Sequence, residues 1–170
     1  MKILFIYNYK IFKNWASKTY EYKINELKNN NNFDCFDIDE IDNNFDHSQY
    51  DKIIFGWNTI PISKYYTTKH EFYKKKIPDL ETYDEIEEKI SIFMNITNKY
   101  LIIQDFNCPH DYKQGLNSLV EYSSKKKIDN FITPYYKNNG INFLKNKRQN
   151  VNIINIPHHI NSNYFKNFNL

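Results

Sequence analysis

Apolar residues fall along this chain in two alternating modes: short unbroken runs, and longer stretches in which they return every third or fourth position. The run KILFIYNY (2–9) is continuous enough to predict a strand buried on both faces of a parallel sheet. Ala16, Tyr20, Ile24 and Leu27 follow at helical spacing and predict an amphipathic helix over about 15–29. The asparagine tract 29–32 ends that helix. FDCFDID (33–39) then alternates as a strand, Phe33, Cys35 and Asp37 against Asp34, Phe36 and Ile38. YDKIIFGWN (50–58) predicts a third strand, closed by Gly56 and followed by Pro61.

Residues 61–80 carry aromatics at mixed spacing and read equally as a helix with a loop or as an irregular insertion. Beyond them, Thr82-x-x-Glu85 is a capping-box pattern, and Ile86, Ile90, Phe93, Met94 and Thr97 put one face of a helix over 83–97 against a core. KYLIIQDF (99–106) predicts a fourth strand, with Pro109 breaking the loop after it. LNSLVEYSSKK (116–126) predicts a helix, NFITPYY (130–136) a strand, 141–148 a short helix and VNIINI (151–156) a terminal strand. Strands alternating with helices are the signature of a parallel sheet covered on both sides. With right-handed crossovers the expectation is a single α/β domain over 1–170, Rossmann-like, its mostly parallel sheet carrying helices on both faces.

Composition changes this picture little. The 170 residues fit one domain with a sizeable core, and an aromatic share of 18%, from 15 Tyr, 13 Phe and 2 Trp, implies a core of rings whose polar tips need partners. The abundance of Asn, Ile, Lys and Tyr beside only 3 Gly reads as codon bias from an AT-rich genome. A formal charge of +3, from 23 basic and 20 acidic side chains, argues against a nucleic-acid partner, and the lysine runs 74–76 and 125–127 read as solvated faces. The two cysteines, Cys35 and Cys108, lie far apart and give neither a disulfide framework nor a zinc pattern. The N-terminal apolar run is too short for a signal-peptide core or a membrane span, so a soluble, cytoplasmic protein is expected.

Candidate chemistry follows from the sheet. In open α/β sheets ligands gather at the carboxyl ends of the strands, where strand order reverses. That rule selects Asn8, Tyr9 and Trp15 after the first strand, Trp57, Asn58 and Thr59 after the third, and Gln104, Asp105 and His110 after the fourth. Tyr135, Tyr136, His158 and His159 follow the later strands. Aromatics mixed with hydrogen-bonding groups suit sugars, nucleosides and other flat or hydroxylated ligands, although Tyr and Asn are frequent throughout this chain.

Several chemistries are disfavoured. No GxGxxG follows the first strand and no GxxxxGK[ST] occurs anywhere, which argues against a dinucleotide cofactor and against a P-loop. Cys108 and His110 flank Pro109 without needing to face each other. Asp39, Asp42 and Asp46 lack the register and glycine of a calcium loop. The adjacent His158 and His159 point apart and would need ligands from elsewhere, so no metal and no cofactor is expected.

The segment INIPHHINSNYFKNF resembles the strand and turn that join the two Rossmann-like domains of GT-B glycosyltransferases. There a strand runs into Pro, a few polar residues and an aromatic of the kind seen here at Phe165. MKILFIYNY, YDKIIFGWN and LIIQDFNCPHDY extend the resemblance over nearly the whole chain, each loosely. The glycine-rich turn that many members carry after strand one is missing here.

The resemblance implies an acceptor-side half for transfer of a sugar from a nucleotide-sugar, incomplete alone. The donor-binding domain would follow residue 170 or come from a partner chain, and the partner molecule would be a carbohydrate or glycosylated acceptor. By the same analogy Trp57, Asn58, Gln104 and Asp105 would line the cleft wall and His110 would be the catalytic base for an acceptor hydroxyl. Asn8, Tyr9, His158 and His159 would complete the substrate-binding set. Two other readings remain open: a Rossmann-like binding module that has lost the reaction, and an unrelated small flavodoxin-like or hydrolase-type α/β enzyme.

Overall fold

A computed structural model describes residues 1–10, 24–56, 74–96, 98–102, 112–133 and 139–155 of the chain. Six strands form one sheet in the order β2-β1-β3-β4-β5-β6, and every neighbouring pair is parallel. They are β1 (Ile3–Tyr7), β2 (Phe33–Asp37), β3 (Lys52–Phe55), β4 (Lys99–Ile102), β5 (Asn130–Thr133) and β6 (Asn152–Asn155). Among the described residues, α1 (Tyr83–Ser91), α2 (Tyr112–Lys125) and α3 (Asn139–Lys147) connect the later strands, and residues 74–76 are also helical. Residues 24–28 are also helical and lead toward β2. The chain therefore has the α/β, Rossmann-like fold that the run-and-repeat pattern predicts.

The two faces of the sheet can be read residue by residue. β1 sends Leu4 and Ile6 to one face and Ile3, Phe5 and Tyr7 to the other, as the two-residue period of a strand requires. On the first face, Ile53 and Phe55 of β3, Leu101 of β4 and Phe131 of β5 meet Ile86 and Ile90 of α1, Leu119 and Tyr122 of α2, and Ile141 and Leu144 of α3. On the second, Ile54, Tyr100, Ile132 and Ile154 meet Ile24 and Leu27 of the helical segment 24–28. Steps from β3 to β6 run in one direction along the sheet and carry their helices on the first face. The step from β1 to β2 runs the other way and carries its helix on the second. That distribution is what right-handed crossovers demand.

Element ends differ from the sequence pattern for local reasons. β2 stops at Asp37 because Asp37 opens a 3₁₀ turn over Ile38–Glu40, with a reciprocal cap in which Asp37 N–H donates to Glu40 Oε2 at 2.9 Å and Asp39 N–H to Asp37 Oδ1 at 3.2 Å. α1 begins at the Thr82–Glu85 capping box the sequence announces. It ends at Ser91, six residues before the apolar pattern does. Phe93 and Met94 N–H instead bond Ile90 and Ser91 carbonyls, a tightened turn that still drives Phe93 into the core against Phe45 and Phe55. α2 begins at Tyr112, earlier than the apolar repeat from Leu116 signals.

Two lysines lie inside the sheet's amino-terminal edge. Lys99 is buried and donates to Met94 O at 2.6 Å, while the buried Lys52 places its ammonium 5.8 Å from the Tyr100 ring centroid. Burial pushes both ammonium groups below the usual lysine value.

Candidate functional site

Strand order reverses once in this sheet. The chain steps from β1 outward to β2, then crosses back over β1 to β3 and continues to β6. The switch point therefore lies between the carboxyl ends of β1 and β3, where a crevice opens in folds of this order. Pairing of the two strands continues past the last ladder register, Ile6 with Phe55, because Gly56 N–H donates to Ile6 O at 2.7 Å. A Cβ on residue 56 would lie 2.8 Å from Ile6 O and 2.9 Å from Phe5 Cζ, so only glycine lets the strands stay this close. Asn8, immediately after β1, exposes no surface, whereas Tyr9 is 42% exposed. Tyr9 is thus the first residue after β1 to present a large exposed surface.

Tyr9 also ties β1 to the neighbouring edge strand. Its backbone N–H donates to Asp37 Oδ2 at 3.1 Å. Burial holds the Asp37 carboxyl above the usual carboxylate range, and the nearby Asp39 and Glu40 charges push the same way, outweighing the Asp39 and Tyr9 amides that bond the ionised form.

Lys10 follows, and its ammonium gathers groups from two separate segments. It lies 2.8 Å from Asp39 Oδ2, 2.9 Å from Glu81 Oε1 and 2.9 Å from the carbonyl of Asp79. Lys89 of α1 reaches the same place, donating to Ile38 O at 3.1 Å and lying 3.6 Å from Asp39 Oδ1. The ends of β1 and β2, the segment before α1, and α1 itself are thus fastened together by charge. Beside this junction a cleft of about 430 Å³ opens between Lys74, Pro78, Asp79, Glu81, Glu85 and Lys89.

Of the residues that the sequence put forward as a site, the structure describes Asn8 and Tyr9. Trp15, Trp57, Asn58, Thr59, Gln104, Asp105, His110, Tyr135, Tyr136, His158 and His159 lie outside the described residues, as does Cys108. Among the described residues no group of three or more His, Cys, Asp and Glu could hold a metal ion. The acidic loop residues are otherwise engaged: Asp42 Oδ1 accepts from Asn44 N–H and Asp46 Oδ1 from Ser48 N–H, both at 2.9 Å, and Asp39 faces Lys10 and Lys89. Burial pushes the Cys35 thiol up to about 12, so it is protonated at neutral pH and is no nucleophile. No helix of the described residues is long and apolar enough to cross a membrane.

The sequence pattern did not single out Lys10, Asp37 or Glu81. For Asp37 a signal exists, since Asp37-Ile38-Asp39-Glu40 is itself a capping-box pattern. Lys10 and Glu81 are 71 residues apart, and no local pattern connects them.

A comparison with known protein families, with curated proteins and with solved structures finds no match.

Proposed function

We propose that this chain is the acceptor-side half of a GT-B type sugar-transfer enzyme, holding a carbohydrate at the carboxyl edge of its sheet while a donor-binding domain, elsewhere in the chain or on a partner, supplies the nucleotide-sugar. The observation that carries the reading is the single reversal between β1 and β3. Of the segments that resemble the family, MKILFIYNY and YDKIIFGWN contain β1 and β3, while LIIQDFNCPHDY and INIPHHINSNYFKNF begin in the last two residues of β4 and β6, and all four run on past a strand's carboxyl end. A crevice at such a reversal is where ligands of α/β sheets collect. The exposed Tyr9 offers a ring with a polar tip, a combination suited to a sugar face. On this reading His110 is the base that takes the acceptor hydroxyl's proton, and Trp57, Asn58, Gln104, Asp105, His158 and His159 supply the rest of the wall.

One observation favours a second reading. The order β2-β1-β3-β4-β5 is that of flavodoxin-like sheets, which hold a mononucleotide at the β1/β3 reversal. Against it, the chain after β1 reads Asn8-Tyr9-Lys10 with no glycine to let the backbone approach a phosphate. Calorimetric titration separates the two. The acceptor half binds hexoses or N-acetylhexosamines and leaves nucleotide-sugars and FMN unbound. FMN binding with no sugar binding would replace the first reading with the second, and binding of neither would remove both.

A further inference from the structure

The cleft beside the Lys10 junction has one acceptor with nothing to accept. Glu81 is 8% exposed, its Oε1 faces the Lys10 ammonium, and its Oε2 has no hydrogen-bond partner and no solvent contact. A carboxylate oxygen in that position lacks both protein and water donors, which is the costly state for a buried polar group.

The charges around it indicate what is missing. Among the described residues, Asp39, Asp79, Glu81 and Glu85 bring four carboxylates, and Lys10, Lys74 and Lys89 bring three ammonium groups, so carboxylates outnumber ammonium groups by one. Those three are already committed. Lys10 faces Asp39, Asp79 and Glu81, Lys89 faces Asp39 and the Ile38 carbonyl, and the charge of Lys74 acts on Glu85. Glu85 is also held by its own cap, accepting from Thr82 N–H at 2.6 Å. A metal ion does not fit the gap, because the Lys10 ammonium occupies the point where the carboxylates converge.

We infer that the cleft in front of Glu81 binds the ammonium group of a small primary amine, whose N–H donors engage Glu81 Oε2 and whose carbon stem lies along Pro78. The last torsion of a glutamate is broad, so a small turn brings Oε2 toward an entering donor while Oε1 stays beside the Lys10 ammonium. A volume of about 430 Å³ suits a small molecule. An ammonium supplies the missing charge and the missing donor together, which a neutral hydroxyl does not. This site is separate in chemistry from the sugar-binding edge, and it stands whether or not the chain takes part in sugar transfer.

The test is an NMR titration of the ¹⁵N-labelled chain with butylammonium chloride at constant ionic strength, read at the amides of Leu80, Glu81 and Glu85. Tetramethylammonium, of like charge but without N–H donors, serves as the probe of geometry, and glucose as the neutral probe. The expected result is a saturable shift with butylammonium and an affinity at least about tenfold lower for tetramethylammonium, the worth of a charge-assisted hydrogen bond. Glu81→Gln lowers butylammonium affinity by a similar factor. Equal affinities for the two cations, shifts that do not saturate, or shifts at these amides from glucose alone would overturn the inference. The comparison of the two cations needs only the wild-type chain, so it holds even if the variant does not fold.

Discussion

Replacing Gly56 by alanine tests the close approach of β1 and β3 that forms the switch point. The new Cβ would sit 2.8 Å from Ile6 O and 2.9 Å from Phe5 Cζ, well inside the roughly 3.5–4.0 Å at which carbon contacts become favourable. Neither neighbour yields easily. Ile6 O is held by the Gly56 N–H itself at 2.7 Å, and the Phe5 ring is fully buried. Overpacking of this kind costs about 1–3 kcal/mol. Alanine offsets about 0.4–1 kcal/mol of that by restricting the unfolded chain. The net loss expected is about 1–2 kcal/mol, or a fall in Tm of about 2–8 °C for a chain of this length. Urea unfolding followed by far-UV circular dichroism measures it, with the midpoint falling and the slope m unchanged. A Gly56→Ala chain within about 0.5 kcal/mol of wild type would refute the reasoning, since surface substitutions away from special features fall in that band.

Asp34→Asn removes a carboxylate that accepts from Tyr50 Oη–H at 2.8 Å and faces Lys2 Nζ at 2.7 Å. With Lys2 and Asp34 both partly exposed, the expected loss at neutral pH is about 1 kcal/mol by chemical denaturation. The Lys2 and Tyr50 partners hold the Asp34 carboxyl below the usual carboxylate range, so the unfolded chain binds its proton first as pH falls. The stabilisation is present above that range and disappears as pH drops through the folded value, where the two unfolding curves should converge. A stability gap that persists unchanged in acid would contradict this assignment. Thr82→Ala deletes the hydroxyl that accepts from Glu85 N–H and donates to Glu85 Oε2, and should cost about 1 kcal/mol and fray the start of α1. Native-state hydrogen exchange at the first turn of α1 checks it, and unchanged protection there would count against the capping box.

Local pattern carried the elements and the parallel α/β fold class well, and the contacts between distant segments poorly. The alternation of Phe33 and Cys35 against Phe36 and Ile38 in and after β2 matches the two faces on which they pack, because a strand's period is a property of the backbone. Thr82 and Glu85 announced α1 for the same reason, since both partners of the cap lie within one turn. Helix ends were less legible. Lys113, Gln114 and Gly115 precede the apolar repeat of α2 and give it no pattern, and Phe93 stays buried beyond the end of α1 by way of a turn rather than a helix. Lys52 and Lys99 appear in strands at buried positions, where hydropathy alone would not put them, because their ammonium groups find a ring and a carbonyl respectively. The candidate site divides in the same way. Tyr9 could be named from its position after a strand, whereas the gathering of Asp39, Asp79 and Glu81 on Lys10 depends on contacts made only when distant segments meet.

On the proposed function a sugar would sit at the carboxyl edge between β1 and β3, beside the position that follows Gly56. Tryptophan fluorescence reads this directly, because the chain has two tryptophans, Trp15 and Trp57, and one of them immediately follows Gly56. Titration with the hexose or N-acetylhexosamine that binds by calorimetry should change the emission of the wild type saturably, and Trp57→Phe should lose that change while keeping the wild-type fold. A sugar response of equal size in Trp57→Phe, or saturable sugar binding that leaves wild-type emission unaltered, would contradict it.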